Sequence, residues 1–358
     1  MSMFRLFMGT FMVPVLTALL ICHEARSGIL EYTLDRAATY AFIKKVEECP
    51  LDPYDQPLAY KESARQWLLE AMPPGFVEIV KELDTSGENV LLIHNFPVDA
   101  YVPATPRNGA RPPKVEHDAS GHLIENQMAK GFVSEAALLG LCGLLDCDPD
   151  YDEREKDGVF INQIIPVNAE KYRGQESSFG SDLAFSWHTE NIYQMRPLRF
   201  FSLLCLRSDP KVATGVLFVD DILEAARSRY PKQFDHLMEQ MRLPQFVMAT
   251  GGSFENARVE AVLPILAQDD RGQMVFRLNL SPGRMRGVSS QGDEVIRMLS
   301  DTILSEEFAR EHTHRIVLQN GDCLLLNNWK SMHSRDAFKI DPLNWRWLQR
   351  MYFKRSAI

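Results

Sequence analysis

Residues 318–333 read Leu-Gln-Asn-Gly-Asp-Cys-Leu-Leu-Leu-Asn-Asn-Trp-Lys-Ser-Met-His, which is a turn, a short apolar run and a histidine. The Asn-Gly-Asp sequence is typical of turns. The run Cys323–Leu326 has the length and composition of a strand that is buried on both faces. This stretch therefore predicts a buried strand that runs toward His333.

Similar β-rich runs recur along the chain, with turn residues between them. They lie at Val90–His94, Val159–Val167, Leu183–His188, Phe200–Arg207, Val212–Val219, Phe246–Ala249, Met274–Leu280, Arg315–Val317 and Trp347–Phe353. Helical periodicity is confined to Ala37–Glu48, Glu62–Met72, Ser134–Leu145, Ile222–Arg229, Lys232–Met241 and Val295–Leu304. Many short strands predict a mainly β fold with flanking helices, namely a double-stranded β-helix or jelly roll. An α/β fold needs a regular alternation of strands and helices, which the second half lacks.

The 358 residues suit one large domain. We expect a single domain over residues 26–358, with a helical N-terminal part (26–150) and a jelly-roll core (155–355). Residues 1–25 form a separate apolar segment, because Leu6–Cys22 contains no charged residue. Pro14 and the length of this run do not suit a membrane-spanning helix. A signal peptide and a spurious start upstream of Met12 stay open as alternatives, and we expect a cytoplasmic protein.

Composition and charge argue against several classes of binding partner and site. The net charge of −9 argues against a nucleic-acid partner, which needs a concentrated basic surface. The six cysteines show no CxxC pair, so reduced thiols are expected. The acidic stretch Asp146–Asp152 lacks the turn glycine of a calcium loop, and it is interpreted as a solvated loop. We expect a small-molecule substrate and no membrane partner.

The candidate metal ligands are His188 and Glu190 in Trp187-His188-Thr189-Glu190, together with the distant His333. Residues two apart on a strand project from the same face, so one histidine and one glutamate can ligate together. A further imidazole completes the two-His-one-carboxylate set of non-haem Fe(II) oxygenases. With nine histidines and 48 acidic residues in the chain, roughly one His-x-acid pair arises by chance, so the motif alone is weak.

Two further patterns bear on this site. His312 and His314 are a second same-face pair on a predicted strand, an alternative for zinc or copper, but no third ligand is nearby in sequence. Arg346 and Arg350 are four residues apart, so they share a face if Trp347 lies in a strand. An arginine that points into an apolar barrel needs an anion, and a dicarboxylate co-substrate would pair with its planar fork.

These pieces together resemble the clavaminate synthase-like group of the taurine dioxygenase superfamily, and within it the asparagine oxygenases and related amino-acid hydroxylases. The resemblance spans about Pro97 to Phe353. Its motifs are Phe96-Pro97-Val98-Asp99 with Thr105-Pro106-Arg107, Ile165-Pro166-Val167, Trp187-His188-Thr189-Glu190-Asn191, Leu204-Cys205-Leu206-Arg207-Ser208-Asp209-Pro210, His333-Ser334-Arg335 and Arg346-Trp347-Leu348-Gln349-Arg350.

The resemblance implies Fe(II) held by His188, Glu190 and His333, with O2 as oxidant. It also implies 2-oxoglutarate as co-substrate, bound through its distal carboxylate by Arg346 with Thr214. Oxidative decarboxylation of 2-oxoglutarate would drive hydroxylation of an unactivated C–H bond. Halogenating relatives lack the carboxylate, so its presence here implies hydroxylation.

For the substrate, the resemblance implies a free amino acid similar to asparagine, lysine or arginine. Arg350 matches a residue that binds its carboxylate, Glu155 matches one that meets its amino group, and Gln175 matches a pocket residue. Asn279 stands where relatives carry an aspartate, and this loss of charge leaves the substrate open. Two alternatives remain: the same chemistry on another small acid or a tethered residue, or a non-catalytic jelly roll that binds metal or 2-oxoglutarate.

Overall fold

The computed structural model describes residues 28–85, 89–102, 105, 131–150, 160–166, 176, 183–250, 259–339 and 346–355. In these ranges the strands are β1 Ile29–Thr33, β2 Val90–His94, β3 Cys147–Asp150, β4 Ile161–Ile164, β5 Phe185–His188, β6 Phe200–Arg207, β7 Thr214–Phe218, β8 Phe246–Ala249, β9 Glu260–Leu263, β10 Leu266–Gln268, β11 Met274–Phe276, β12 Met285–Gly287, β13 His314–Ile316, β14 Cys323–Asn327, β15 Ser331–Arg335 and β16 Trp347–Arg355. The helices are α1 Arg36–Glu47, α2 Pro57–Ala71, α3 Pro74–Thr85, α4 Val133–Leu144, α5 Val219–Arg229, α6 Phe234–Met241, α7 Ser290–Ile303 and α8 Glu306–His312. The predicted mainly β fold with flanking helices is confirmed.

Seven strands form the larger sheet in the order β1-β2-β14-β6-β16-β3, with β4 also paired to β16. The β1–β2 pair is parallel, and the other described pairs of this sheet are antiparallel. The predicted strand at Cys323–Leu326 is confirmed as β14, which lies between β2 and β6. This central position explains its continuous apolar composition, because both of its faces are covered.

Alternation of side chains divides the larger sheet into two apolar faces. On β14, Cys323 and Leu325 face the core formed with α1, α2, α3 and α4. Leu324 and Leu326 on the same strand face a second core on the other side of the sheet. That second core also receives Val216 from β7, which belongs to a different sheet.

The smaller main sheet has four strands in the order β13-β7-β15-β5. Val216 and Phe218 of β7 point toward the larger sheet, whereas Leu217 points outward into a third core with α5, α6 and α7. The two sheets therefore face each other across an apolar layer, with helices covering their outer surfaces. The functional side chains described below lie on the inner faces.

Several local predictions are confirmed at their predicted limits, and others are wrong. Strands β2, β6 and β8 begin and end where predicted. The acidic stretch is not simply a solvated loop, because Cys147–Asp150 forms β3 at the sheet edge. Its carboxylates are paired: Lys61 donates to Asp148 at 2.6 Å and Lys354 to Asp150 at 3.3 Å. Charged side chains on an edge strand discourage pairing with other chains.

The helical front of the chain contains one helix that was not predicted. This helix, α3, begins at Pro74 soon after α2 ends at Ala71. Proline suits the first helical position because the amide hydrogen that it lacks would have no partner there.

The described cysteines, Cys49, Cys142, Cys147, Cys205 and Cys323, are free thiols, as predicted. Among the helices described, none is long and apolar enough to cross a membrane. The segment 1–25 lies outside the described residues.

Candidate metal centre

The two histidines are brought together by strand pairing. In the antiparallel β5–β15 pair, His333 lies directly opposite His188, and their ring centroids are 4.0 Å apart. Phe185 stacks on His188 at 4.1 Å, and Phe201 of the larger sheet contacts His333 at 4.6 Å. Aromatic contacts on both sides therefore hold the imidazoles in place.

Glu190 completes the cluster from a turn. Its Oε1 atom is 3.5 Å from His333 Nε2 and 3.9 Å from His188 Nε2, and all three side chains are buried. The assumption that His188 and Glu190 lie on one strand needs correction here, because β5 ends at His188, as its predicted run does, and Glu190 follows in a turn. Thr189 N still donates to Leu278 O at 2.8 Å, so strand-like hydrogen bonding continues one residue beyond β5.

Asn328 holds the main chain of Glu190 in place. Its Oδ1 accepts from Glu190 N at 2.7 Å, and its Nδ2 donates to Glu190 O at 3.2 Å and to Leu198 O at 3.2 Å. The Asn328 side chain is 2% exposed, so these bonds are shielded from water. The sequence analysis missed this residue, since an asparagine after a strand carries no chemical signature of such a role.

Replacing Asn328 with alanine should destabilise the protein by about 2 kcal/mol, because it leaves the buried Glu190 amide without an acceptor. We expect iron affinity to fall about 10-fold or more, as is typical when a group that orients a ligand is lost. Urea unfolding and metal titration measure the two effects. Asn320→Ala is the control, since Asn320 accepts a similar bond from Ser208 N at 2.7 Å in an exposed turn. Equal effects of the two substitutions would contradict the role of Asn328.

The protonation states suit a divalent cation. His188 Nδ1 donates to Ser186 O at 2.7 Å, which leaves the Nε2 lone pair directed away from that bond. This Nε2 atom is buried and has no hydrogen-bond partner within the described part of the chain. Burial, with the charge of His333, lowers the pKa of His188 to about 3, so the imidazole is neutral near pH 7. A metal would not have to displace a proton from it.

Glu190 is held as an anion by two residues of β16. Arg350 Nη1 donates to Glu190 Oε1 at 3.1 Å, and the Tyr352 hydroxyl donates to Oε2 at 3.0 Å. Burial alone would raise the pKa of Glu190, but Arg350 and a hydrogen bond with His333 outweigh it and keep the pKa well below its usual range. Tyr352 was missed, although its spacing of two from Arg350 places it on the same face of a strand.

An open cavity adjoins the cluster. Glu190 and His333 line it together with Thr214, Arg346 and Arg350. The predicted shared face of the two arginines is therefore confirmed. Arg346 is 6% exposed, and no hydrogen bond or ion pair of its guanidinium is found among the residues described. Burial lowers its pKa to about 10, so it remains a cation at neutral pH and can bind an anion.

The remaining predicted residues have different positions. Asn279 pairs with His188 across the strands, so it lies beside the cluster. Glu155 and Gln175 lie outside the described residues. The predicted alternative site at His312 and His314 is wrong. His312 ends α8 and contacts Asp221, whereas His314 begins β13 and packs on Phe218. A change from helix to strand removes the shared face that the prediction assumed.

Residues 124–352 match the model of the "Taurine catabolism dioxygenase TauD, TfdA family". The chain belongs to this family. Its metal cluster, the cavity and most of both main sheets fall within the matched residues.

Relatives of this TauD/TfdA family member include amino-acid oxygenases. It is 28% identical over 275 residues to L-asparagine oxygenase of Streptomyces coelicolor, covering 75% of this chain and 72% of that protein. It is 24% identical over 294 residues to enduracididine beta-hydroxylase of Streptomyces hygroscopicus, covering 76% and 78%. The solved structure of the non-heme iron oxygenase OrfP with Fe and alpha-ketoglutaric acid superposes with a TM-score of 0.69 at 19% identity, covering 91% and 94%.

Proposed function

We propose that this chain is an Fe(II)- and 2-oxoglutarate-dependent oxygenase that hydroxylates an unactivated C–H bond of a free L-amino acid. The observation that carries this proposal is the buried cluster of His188, Glu190 and His333 beside the guanidinium of Arg346, which has no ion pair among the described residues. Two imidazoles and one carboxylate are the donor set that suits Fe(II) in oxygenases. The iron- and alpha-ketoglutaric acid-bound structure of OrfP and the amino-acid-oxidising relatives support it.

The site fits iron because it contains a buried ring nitrogen that has no hydrogen-bond partner in the described part of the chain. His188 Nε2 is buried without a hydrogen-bond partner among the described residues, and it lies 3.9 Å from the Glu190 oxygen that also approaches His333. Three ligands converging from one side leave the opposite side open for other molecules. With 2-oxoglutarate and O2, a bound Fe(II) supplies the oxidising chemistry, while the protein binds and orients.

Arg346 and Thr214 are proposed to bind the distal carboxylate of 2-oxoglutarate. Both residues line the cavity that adjoins Glu190 and His333. A planar guanidinium binds a carboxylate through two parallel hydrogen bonds, and a threonine hydroxyl can add a third. The apolar wall of Leu203, Leu348 and Ile164 excludes water from this pair, which strengthens it.

The substrate residues are proposed as Arg350, Asn279, Glu155 and Gln175. Arg350 already donates to Glu190, so a substrate carboxylate there would use its remaining donors. This arrangement would connect the position of the substrate to the orientation of the metal ligand. The presence of Glu190 favours hydroxylation over halogenation, because it occupies the position that a halide would need.

We also propose that the two facing sheets form a double-stranded β-helix within a single domain over residues 26–358. The shared apolar core between β7 and the larger sheet supports this arrangement. The metal cluster then lies inside the barrel, at the contact of β5 and β15 with β6.

Succinate formation tests the function. With Fe(II), 2-oxoglutarate and O2, we expect at least one free amino acid to raise succinate production above the substrate-free rate, with a mass gain of one oxygen in that amino acid. The Glu190→Ala variant should give no amino-acid-dependent succinate. If no amino acid stimulates turnover but another small acid does, the substrate class is wrong. If correctly folded protein binds neither iron nor 2-oxoglutarate, the oxygenase assignment is wrong.

A further inference from the structure

Another buried arginine, Arg277, lies in the segment that runs beside β5, the strand that carries His188. Residues 277–280 run beside β5, where Leu280 N donates to Trp187 O at 2.9 Å and Asn279 lies opposite His188. Cross-strand partners point to the same face, so the Asn279 side chain lies on the His188 face. Arg277 is two residues earlier and projects from that face as well. Leu278 points the other way, into the outer core.

The guanidinium of Arg277 lacks the partners that a structural arginine has. It is 4% exposed, and its Nε and Nη1 atoms are buried with no hydrogen-bond partner among the described residues. Its hydrogen bond to a described residue is long, from Nη2 to Met195 O at 3.5 Å. By contrast, the buried Arg199 donates to Gln273 and stacks on Trp329 at 4.3 Å. A buried cation with unfilled donors costs stability unless an anion occupies the space beside it.

Arg277 lies in a segment that carries positive charge. Burial lowers its pKa to about 10, so it is still charged near pH 7. Arg284 follows Arg277 in the same segment. The segment 277–284 contains these two arginines and no acidic residue. Asn279 adds a neutral amide, which cannot neutralise a substrate ammonium or guanidinium group.

We infer that Arg277 binds an anionic side chain of the substrate, so that the amino acid oxidised at this centre is acidic. The anion would be a carboxylate or a group of similar charge, such as a sulfonate. This inference depends on the proposed function, since it assigns the substrate class of the same site. Arg350 would bind the α-carboxylate on the β16 side, and Arg277 the side-chain anion on the β5 side. The C–H bonds between the two anions would then lie next to the metal cluster.

Isosteric substrates test the inference without altering the protein. Succinate formation is measured with aspartate against asparagine, glutamate against glutamine, and cysteate as the sulfonate. We expect the acidic member of at least one pair to have a kcat/KM higher by about 10-fold or more, the effect of one charge-assisted hydrogen-bonded pair. Preference for the neutral member, or equal use of both members in every active pair, would overturn the inference and leave the oxygenase intact.

The variant Arg277→Gln should remove or reverse the preference for the acidic substrate, while the visible band of the Fe(II)–2-oxoglutarate complex is retained. Arg286→Gln is the matched control, because Arg286 is exposed on β12 and pairs with Glu260 at 3.5 Å. Arg277→Lys should keep part of the preference, and it covers the case in which the glutamine variant does not fold. A preference unchanged in folded Arg277→Gln overturns the inference. If no amino acid of either charge stimulates turnover, the proposed function fails, and the inference fails with it.

Discussion

The His188→Ala variant is expected to lose Fe(II) binding and to lower amino-acid-dependent turnover by more than about 100-fold, since loss of an orienting partner alone costs 10–100-fold in such sites. His188 is 2% exposed and contributes to the cluster an Nε2 atom that has no hydrogen-bond partner within the described ranges. Two remaining donors bind a divalent ion far more weakly than three. Anaerobic titration with Fe(II) and 2-oxoglutarate measures the loss, because the visible band of the ternary complex should be absent.

A second measurement separates lost metal binding from lost folding. A metal that binds only the folded state raises its melting temperature, so excess Mn(II) should stabilise the wild type and not His188→Ala. The control is His236→Ala, whose side chain is 60% exposed on α6. It should keep both the band and the metal-dependent shift. A ternary band of wild-type intensity in His188→Ala would refute the ligand assignment.

The Arg346→Gln variant is expected to raise the KM for 2-oxoglutarate by about 100-fold, the effect of leaving a carboxylate without its buried guanidinium partner. Iron binding should persist, because Arg346 does not contact the three metal ligands in any described hydrogen bond. Substituting lysine should give an intermediate loss, since the ammonium keeps the charge but lacks the planar fork. Succinate formation as a function of 2-oxoglutarate concentration measures both variants.

Arg207→Gln is the matched control for Arg346. Arg207 lies opposite Trp347 in the same sheet and donates to Val102 O at 3.3 Å, away from the cavity. Its KM for 2-oxoglutarate should stay near that of the wild type. An equal rise in both variants would indicate a general distortion of the sheet, and an unchanged KM in Arg346→Gln would contradict the proposed binding mode.

Local sequence patterns were sufficient to predict the strands that are buried along nearly their whole length. β2, β6 and β8 are short apolar runs bounded by polar or turn residues, and their limits match the prediction. β15 was not predicted, because Ser331–Arg335 has no apolar alternation, and its residues are buried between β7 and β5. β3 was missed because its acidic sequence disfavours a strand, and pairing with β16 overrides that preference.

By itself the sequence determined the donor types at the metal centre and the arginines that could bind anions, because these follow from side-chain chemistry. The tertiary structure alone decided which of them meet. The β5–β15 register places His333 on His188, and Asn328 holds Glu190 after the strand has ended. Two arginines differ in this respect: Arg350 donates to Glu190, whereas Arg277 is buried with two donors that have no partner in the described part of the chain. Hydrogen-bond partners and burial depend on contacts between residues far apart in the chain, so no local sequence pattern predicts them.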